Sequence, residues 1–342
     1  VYDTRKDSDG GAWRKRTQHT SWYNETLNTS TRGARKEFPS VAVIVLESNK
    51  TVIYDGDDPD MPMWMTFVNA GASSAVMVGE LSNKCVTMLN GNLGVGSAPY
   101  DFYLVNFIKD KGYQYSNNVA ISGTYKGDIS TRNVTTTNWS FGTVPNIVGR
   151  SINDVAMTVL PNAPIDADTG LPVPTIAVAT DGGVSVIKDD GTVVDIISNS
   201  GSAYTPTSFV DIDDNYNLIF EQDSGGRSLM FIPIPSVDRT TVANDGDRTD
   251  KRMLPTSSTG TGLNLIPRFN GSNASIAVSG KGDDQYIYGG VGVTSYKYGT
   301  SKQNSSVAYI ASDYNTGYML GDIKLATLSD TAAANNFEYV EG

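Results

Sequence analysis

Two residue types are nearly missing from this chain of 342 residues: it has one cysteine, Cys85, and one histidine, His19. A single cysteine excludes an intrachain disulfide framework and every multi-cysteine metal site. A single histidine excludes His-rich zinc or iron centres and proton relays built on several imidazoles. Charged residues are scarce too, at 18%. With 39% hydrophobic residues available for a core, the chain is neither a coiled coil nor a disordered acidic tail. The longest apolar run, 41–46, is too short to span a bilayer. No signal-peptide pattern opens the chain, and a start at Val1 suggests a missing N-terminus.

What is abundant is turn and strand material: 34 glycines, 18 tyrosines and much Thr, Asn, Asp and Val. Helical periodicity is almost absent after residue 40. Strands are expected at 41–46 and 51–54 around a loop at 47–50, then at 63–68, 74–78 paired with 84–89, and 102–108. The clearest unit lies at 154–160, 175–180, 184–188 and 193–197, with Asp181-Gly182-Gly183 and Asp189-Asp190-Gly191 as turns. Further strands are expected at 209–212, 217–221, 229–234, 274–278, 285–288, 291–298, 307–311 and 321–328. Four short antiparallel strands per unit, repeated, predict an all-β fold, a β-propeller of five to seven blades. A β-sandwich or jelly roll is the alternative. End-to-end closure would pair 41–46 with 307–311 or 323–328.

Charge is unevenly spread. Residues 1–37 hold eight basic and five acidic side chains, so they carry +3. The remaining 305 residues hold eighteen basic against thirty-two acidic, or −14 of the chain's total of −11. Such an acidic chain is a poor nucleic-acid binder. Residues 1–37 read as a basic N-terminal arm with a short helix near 13–23, residues 38–331 as the propeller-like body, and 332–342 as a tail or linker. Trp13, Trp22 and Tyr23 are costly to leave in water, so the arm is expected to dock on its own body or on a neighbour, with Arg14 and Arg16 setting its register.

No motif declares a catalytic centre. Asp211, Asp213, Asn215 and Asn217 place oxygen donors at alternate positions, as a Ca²⁺ loop does. The pattern breaks at Tyr216, where glycine should turn the chain, and at Gln222, where a bidentate Glu should close the site. A hairpin turn is the expectation and no cofactor or metal, with Ca²⁺ the alternative. The cluster Asp55, Asp57, Asp58 and Asp60 is expected to be a solvated turn because Pro59 interrupts it; Asp245, Asp247, Asp283 and Asp284 are weaker. His19 has no serine elbow or cysteine partner, and Cys85 reads as a small buried hydrophobe. The glycine clusters at 91–96 and 289–292 lack a following helix and a Lys-Ser/Thr pair, so they are expected to be loops. Tyrosine-rich stretches at 100–118, 285–298 and 309–318 read as core and loop tyrosines or as sugar-contact surfaces. The Asn-x-Ser/Thr triplets at Asn24 and Asn138 follow from composition.

Two long segments carry a resemblance. The block DTRKDSDGGAWRKRTQHTSWYNE at 3–25 resembles a block in tail or virion structural proteins of marine tailed bacteriophages, and YNTGYMLGDIKLATLSDT at 314–331 resembles a stretch in the same proteins. There the second stretch tends to precede a concanavalin-like carbohydrate-binding module. The resemblance implies a non-enzymatic virion component, in the tail or tail fibre, with assembly and host-attachment roles. It implies other virion proteins as partners, homo-oligomerisation and a cell-surface glycan as receptor, with no nucleic acid and no membrane insertion. No catalytic residue comes with it. The alternatives are a glycan-active hydrolase or depolymerase and a free carbohydrate-binding propeller. Buried paired carboxylates in a central funnel would favour the enzyme; a large apolar self-contact around 1–37 would favour the assembly protein.

Overall fold

A computed structural model describes residues 1–47, 49–68, 76–79, 82–198, 206–223 and 227–241, and beyond them the strands from Arg252 onward given below. The first sheet has the order β1 (Tyr2–Asp3), β2 (Val41–Glu47), β3 (Lys50–Asp55) and β4 (Met63–Val68). The second runs through six consecutive strands: β5 (Asn83–Leu89), β6 (Asn92–Ser97), β7 (Phe102–Asn106), β8 (Lys111–Tyr115), β9 (Gly123–Tyr125) and β10 (Trp139–Phe141). The third holds β11 (Ile152–Thr158), β12 (Thr175–Thr180), β13 (Gly183–Ile187) and β14 (Val193–Ser198), with β18 (Arg239–Thr241) added in parallel. The fourth is β15 (Val210–Ile212), β16 (Asn217–Asp223), β17 (Arg227–Pro233) and β19 (Arg252–Pro255). The fifth is β20 (Ala277–Lys281), β21 (Asp284–Gly289), β22 (Gly292–Lys297), β23 (Ser306–Ala311) and β24 (Phe337–Glu338).

Apart from β18, which joins β14 in parallel, each sheet is an up-and-down antiparallel meander in chain order. In the first four sheets the leading strands lie side by side, β2 taking that place in the first sheet behind the two-residue β1: β2 against β5, β5 against β11, and β11 against β15. Sheets that follow one another along the chain and touch through their first strands are the blades of a β-propeller. Among the described residues no helix is long and apolar enough to cross a membrane.

The third blade shows why the reading of 175–197 worked. Asp181-Gly182 and Asp190-Gly191 turn the chain between strands whose residues pair in unbroken register, Ile176 with Ile187 through Thr180 with Gly183. Both faces of β12 and β13 are buried because a blade lies on each side. The second blade corrects several expectations. The glycine run at 91–96 is not a loop: it is β6, wholly buried, and it is the partner of β5. Its glycines give close approach, since a Cβ at Gly94 would lie 2.7 Å from Met157 Cε and one at Gly96 2.5 Å from Ile152 Cγ2, on β11 of the next blade. Residues 76–78 form bends rather than a strand, and 74–75 lie outside the described residues. Strands β8, β9 and β10 were not expected; their polar sequences hide them.

The expected end-to-end pairing is also corrected. The strand beside β2 on the side away from β3 is β1, with Tyr2 opposite Ala42, while β23 pairs with β22 and β24 in the fifth blade. Residues 321–328 lie outside the described residues.

Candidate functional site: the N-terminal seam and the carboxylates of the leading strands

The N-terminal segment has little regular structure of its own. Besides β1 it makes two 3-10 turns, Thr4–Lys6 and Ala12–Arg16, the second standing where a short helix was expected. Irregular backbone leaves amides unpaired, and side chains supply their partners. Asp7 is the hub: its carboxylate accepts from Tyr2 Oη, from Trp13 Nε1 at 2.7 Å and from the backbone N of Asn90 at 2.9 Å. Burial outweighs these donors and pushes the Asp7 carboxyl above its usual range, and it pushes the Tyr2 phenol up as well.

Asn90, in the β5–β6 hairpin turn at φ 50°, is the second hub. Its Oδ1 accepts from Ser8 N at 3.0 Å, and its Nδ2 donates to Ser8 Oγ and, at 3.1 Å, to the Pro172 carbonyl. Pro172 belongs to the excursion between β11 and β12, residues 159–174. That excursion also brings Leu171 into the core and Thr169 O to 3.0 Å from Arg16 Nη2. Neither Asp7 nor Asn90 was singled out in the sequence. The only signal was the Asn90-Gly91 turn, which marks a hairpin and says nothing about the side chain.

The expected anchors can now be placed. Trp13 and Trp22 are fully buried against this chain's own body, in one core with Phe38, Trp64 and Phe107. Trp22 Nε1 donates to the Phe107 carbonyl at 2.8 Å. Tyr23 is partly buried beside Trp22, under the Lys36 ammonium. Arg14 donates to the Phe38 carbonyl at 2.9 Å, and Arg16 pairs with Asp9 at 2.9 Å. Behind them two further arginines, Arg32 and Arg132, are buried around Glu25. Arg132 reaches Glu25 at 2.8 Å and the carbonyls of Thr66, Ile129 and Thr31; Arg32 stacks 4.6 Å from the Trp64 ring. Burial and the neighbouring Arg132 charge bring Arg32 down to about 10.

The expected oxygen-donor set at 211–217 folds as the β15–β16 hairpin. Asp213 accepts from the backbone N of Asn215 and Asn217 and from Asn217 Nδ2, so its carboxylate builds the turn, and Tyr216 takes the positive φ of 63°. Asp211 stands apart on β15. The acidic stretch 55–60 is not merely a solvated turn: Asp55 and Asp57 hold Arg35, and Asp57 accepts from Ser40 N and Val41 N, clasping the N-terminal segment to the first blade. His19 is exposed in a turn. Cys85 is a free, part-buried thiol on β5, pushed above its usual pKa by burial. Tyr103 and Tyr115 of the 100–118 stretch are core residues. Gly289 and Gly292 flank the β21–β22 connection; Asp245, Asp247 and Asp283 lie outside the described residues, as do residues 314–331.

A second group sits on the leading strands. Asp154 of β11 accepts from Val210 N of β15 at 3.1 Å and so ties the third blade to the fourth. Burial raises it to about 6, helped by the charge of Asp211, which burial raises in turn. Asp154 and Asp211 thus lie on neighbouring leading strands, and burial holds both carboxyls above the usual aspartate range. Among the described residues no three His, Cys, Asp or Glu side chains are grouped to hold a metal ion.

No protein-family model matches the chain, and no curated protein matches it. Solved structures with a similar strand arrangement include the KlAtg21 chain of a complex with the coiled coil of AgAtg16, at 15% identity, TM-score 0.39, with 78% of this chain and 68% of that one covered. Hsv2 of Kluyveromyces marxianus is similar at 8% identity and TM-score 0.38, over 75% of this chain and 62% of Hsv2. The allergen Mala s 1 of Malassezia sympodialis is similar at 12% identity and TM-score 0.38, over 79% and 74%. Likenesses this distant carry no functional argument; the propeller rests on the strand order and the adjacent leading strands described above.

Proposed function

We propose that the chain is a bacteriophage virion component, a structural or receptor-binding part of the tail or tail fibre that acts without catalysis. Its partners in this reading are other virion proteins and further copies of itself, and a cell-surface glycan is the receptor class. The observation that supports it is where the tail-protein-like block at 3–25 lies. Asp7, Trp13 and Trp22 of that block are built into the first two blades. The block is therefore part of this chain's own framework. The test is peptide mapping of gradient-purified particles together with immunogold labelling. Label on the tail supports the reading; a chain found only in the soluble lysate, with none in particles, overturns it.

A second reading, a glycan-active hydrolase, is favoured by one observation: Asp154 and Asp211 are both shifted upward on neighbouring leading strands. Glycoside hydrolysis uses two carboxyls, one as acid and one as base or nucleophile. Reducing-end release from host surface polysaccharide, lost in Asp154→Asn and in Asp211→Asn, would support the enzyme. No release from any host polysaccharide would leave the structural reading alone.

A further inference from the structure

Two β-bulges face one another at the joint between the second and third blades. The β5–β6 register slips between Asn83 and Cys85, leaving Lys84 unpaired, and the β11–β12 register slips between Ile152 and Asp154, leaving Asn153 unpaired. A bulge re-aims the side chain of its extra residue. Here the two extra residues meet: Lys84 Nζ lies 3.2 Å from Asn153 Oδ1. The amide is held from the other side, because Asn153 Nδ2 donates to Asp181 Oδ1 at 2.9 Å and to the Thr207 carbonyl at 3.1 Å. Two acceptors on one side and an amine on the other fix which end of the amide is nitrogen.

We propose that Lys84 and Asn153 condense to an intramolecular isopeptide bond that staples the second blade to the third, with Asp181 as the proton carrier. The neutral Lys84 amine adds to Cγ of Asn153, and Oδ1 takes the negative charge of the tetrahedral adduct. Both nitrogens then sit on the same carbon. Asp181, already hydrogen-bonded to Nδ2, takes a proton from Nζ and delivers it to Nδ2. The Cγ–Nδ2 bond breaks, its electron pair leaves on ammonia, and Oδ1 returns to a carbonyl. One amine and one primary amide give one secondary amide and one ammonia, with no oxidant or outside reactant.

Three features support the reaction over an ordinary surface hydrogen bond. The reacting groups come from the leading strands of two blades that already touch, so little motion separates contact from attack. The leaving nitrogen is the one that touches a carboxylate. The amide plane is pinned by two acceptors, while the exposed lysine is free to swing its amine above that plane. The proposal does not depend on the virion reading.

The test is intact-mass measurement and peptide mapping of the purified full chain, before and after incubation at about pH 9, where a larger share of a lysine amine is neutral. The expected result is loss of the mass of one ammonia and a branched peptide joining residues 84 and 153, forming faster as pH rises. Lys84→Arg should show no such peptide. Asp181→Asn should form it at least about tenfold more slowly while keeping the parent's circular dichroism; if that variant does not fold, the wild-type pH–rate profile and Lys84→Arg still decide. Unchanged mass with Lys84 still open to amine acetylation would overturn the proposal. So would ammonia loss traced to a cyclic imide at Asn90 or Asn153 without a branched peptide, or hydrolysis of the Asn153 amide to a carboxylate.

Discussion

Between the first two blades the core is made of rings: Phe38 lies 4.8 Å from Trp64 and 5.0 Å from Phe107, with Trp13 and Trp22 packed on them. Between the third and fourth it is chiefly aliphatic, with Ala177, Ala179, Val184, Val186, Val194 and Ile196, and Phe220 is the one ring in it among the described residues. The difference follows from the backbone. Regular strands present small β-branched side chains at even spacing, and two such faces close on one another. Where the irregular N-terminal segment packs on the first two blades, large rings from both fill the space. The segment also leaves backbone groups unpaired: Asn90 and Asp110 accept from the amides of Ser8 and Ser21, and Arg132 donates to the Thr31 carbonyl. The first seam is thus specified by a few residues of large effect, and the second by many of small effect.

Truncating a ring should break the contrast most plainly. Trp13→Ala opens a cavity at a fully buried site and takes a donor from Asp7. We expect about 3–5 kcal/mol of lost stability in denaturant unfolding, against about 1 kcal/mol for Ile196→Val in the second core. A loss for Trp13→Ala no larger than that for Ile196→Val would erase the distinction.

Next in size is the buried charge network. Arg132→Met leaves Glu25 with only the more distant Arg32, and about 3 kcal/mol should be lost. Adding Glu25→Gln should recover part of it, because the stranded charge is gone; strictly additive losses in a double-mutant cycle would show that the pair is not coupled. Asn90→Ala removes side-chain bonds to Ser8 and Pro172 at a positive-φ position, and about 2 kcal/mol should go with them. Its thermal midpoint should fall while the far-ultraviolet spectrum of the remaining blades persists.

The smallest effect belongs to the second region and is read in pH. Asp154 has a folded pKa of about 6, above that of an unfolded aspartate, so its ionised form is penalised only in the folded chain. Lowering pH through 6 lets the folded state bind a proton the unfolded state does not yet hold, so stability rises until about pH 4, where both are protonated. Between about pH 7 and pH 5 the gain should be about 1 kcal/mol. Asp154→Asn should flatten that slope; a slope as steep as the parent's would assign it to Asp7 or Asp211 instead.

How much of this could be read from residues alone differs between the same two regions. Strands β4 and β12 stand where the sequence placed them, because apolar runs bounded by turn residues translate directly into buried strands. Strand β6 was hidden because its glycines serve close approach to Ile152 and Met157, partners far along the chain. Trp13 and Trp22 could be singled out as too apolar for water, and the surface that buries them is this chain's own. Asp7 and Asn90 carry no pattern at all: each is one polar residue among many, and only the fold brings them within reach of one another. The donor set at 211–217 illustrates the converse, since spacing that suits a cation suits a tight hairpin equally well.

The excursion at 159–174 sets a timetable for synthesis. Trp13 and Leu171 share one core, and Arg16 bonds Thr169 across 153 residues of chain. On a ribosome adding about 5–20 residues per second, the N-terminal rings emerge on the order of ten seconds before the segment that finishes their enclosure. During that interval the first two blades can pair their strands but must leave part of their largest apolar surface uncovered. Nascent chains are therefore most open to chaperone capture, or to mispairing with one another on the same message, after the second blade has emerged and before the third begins its second strand.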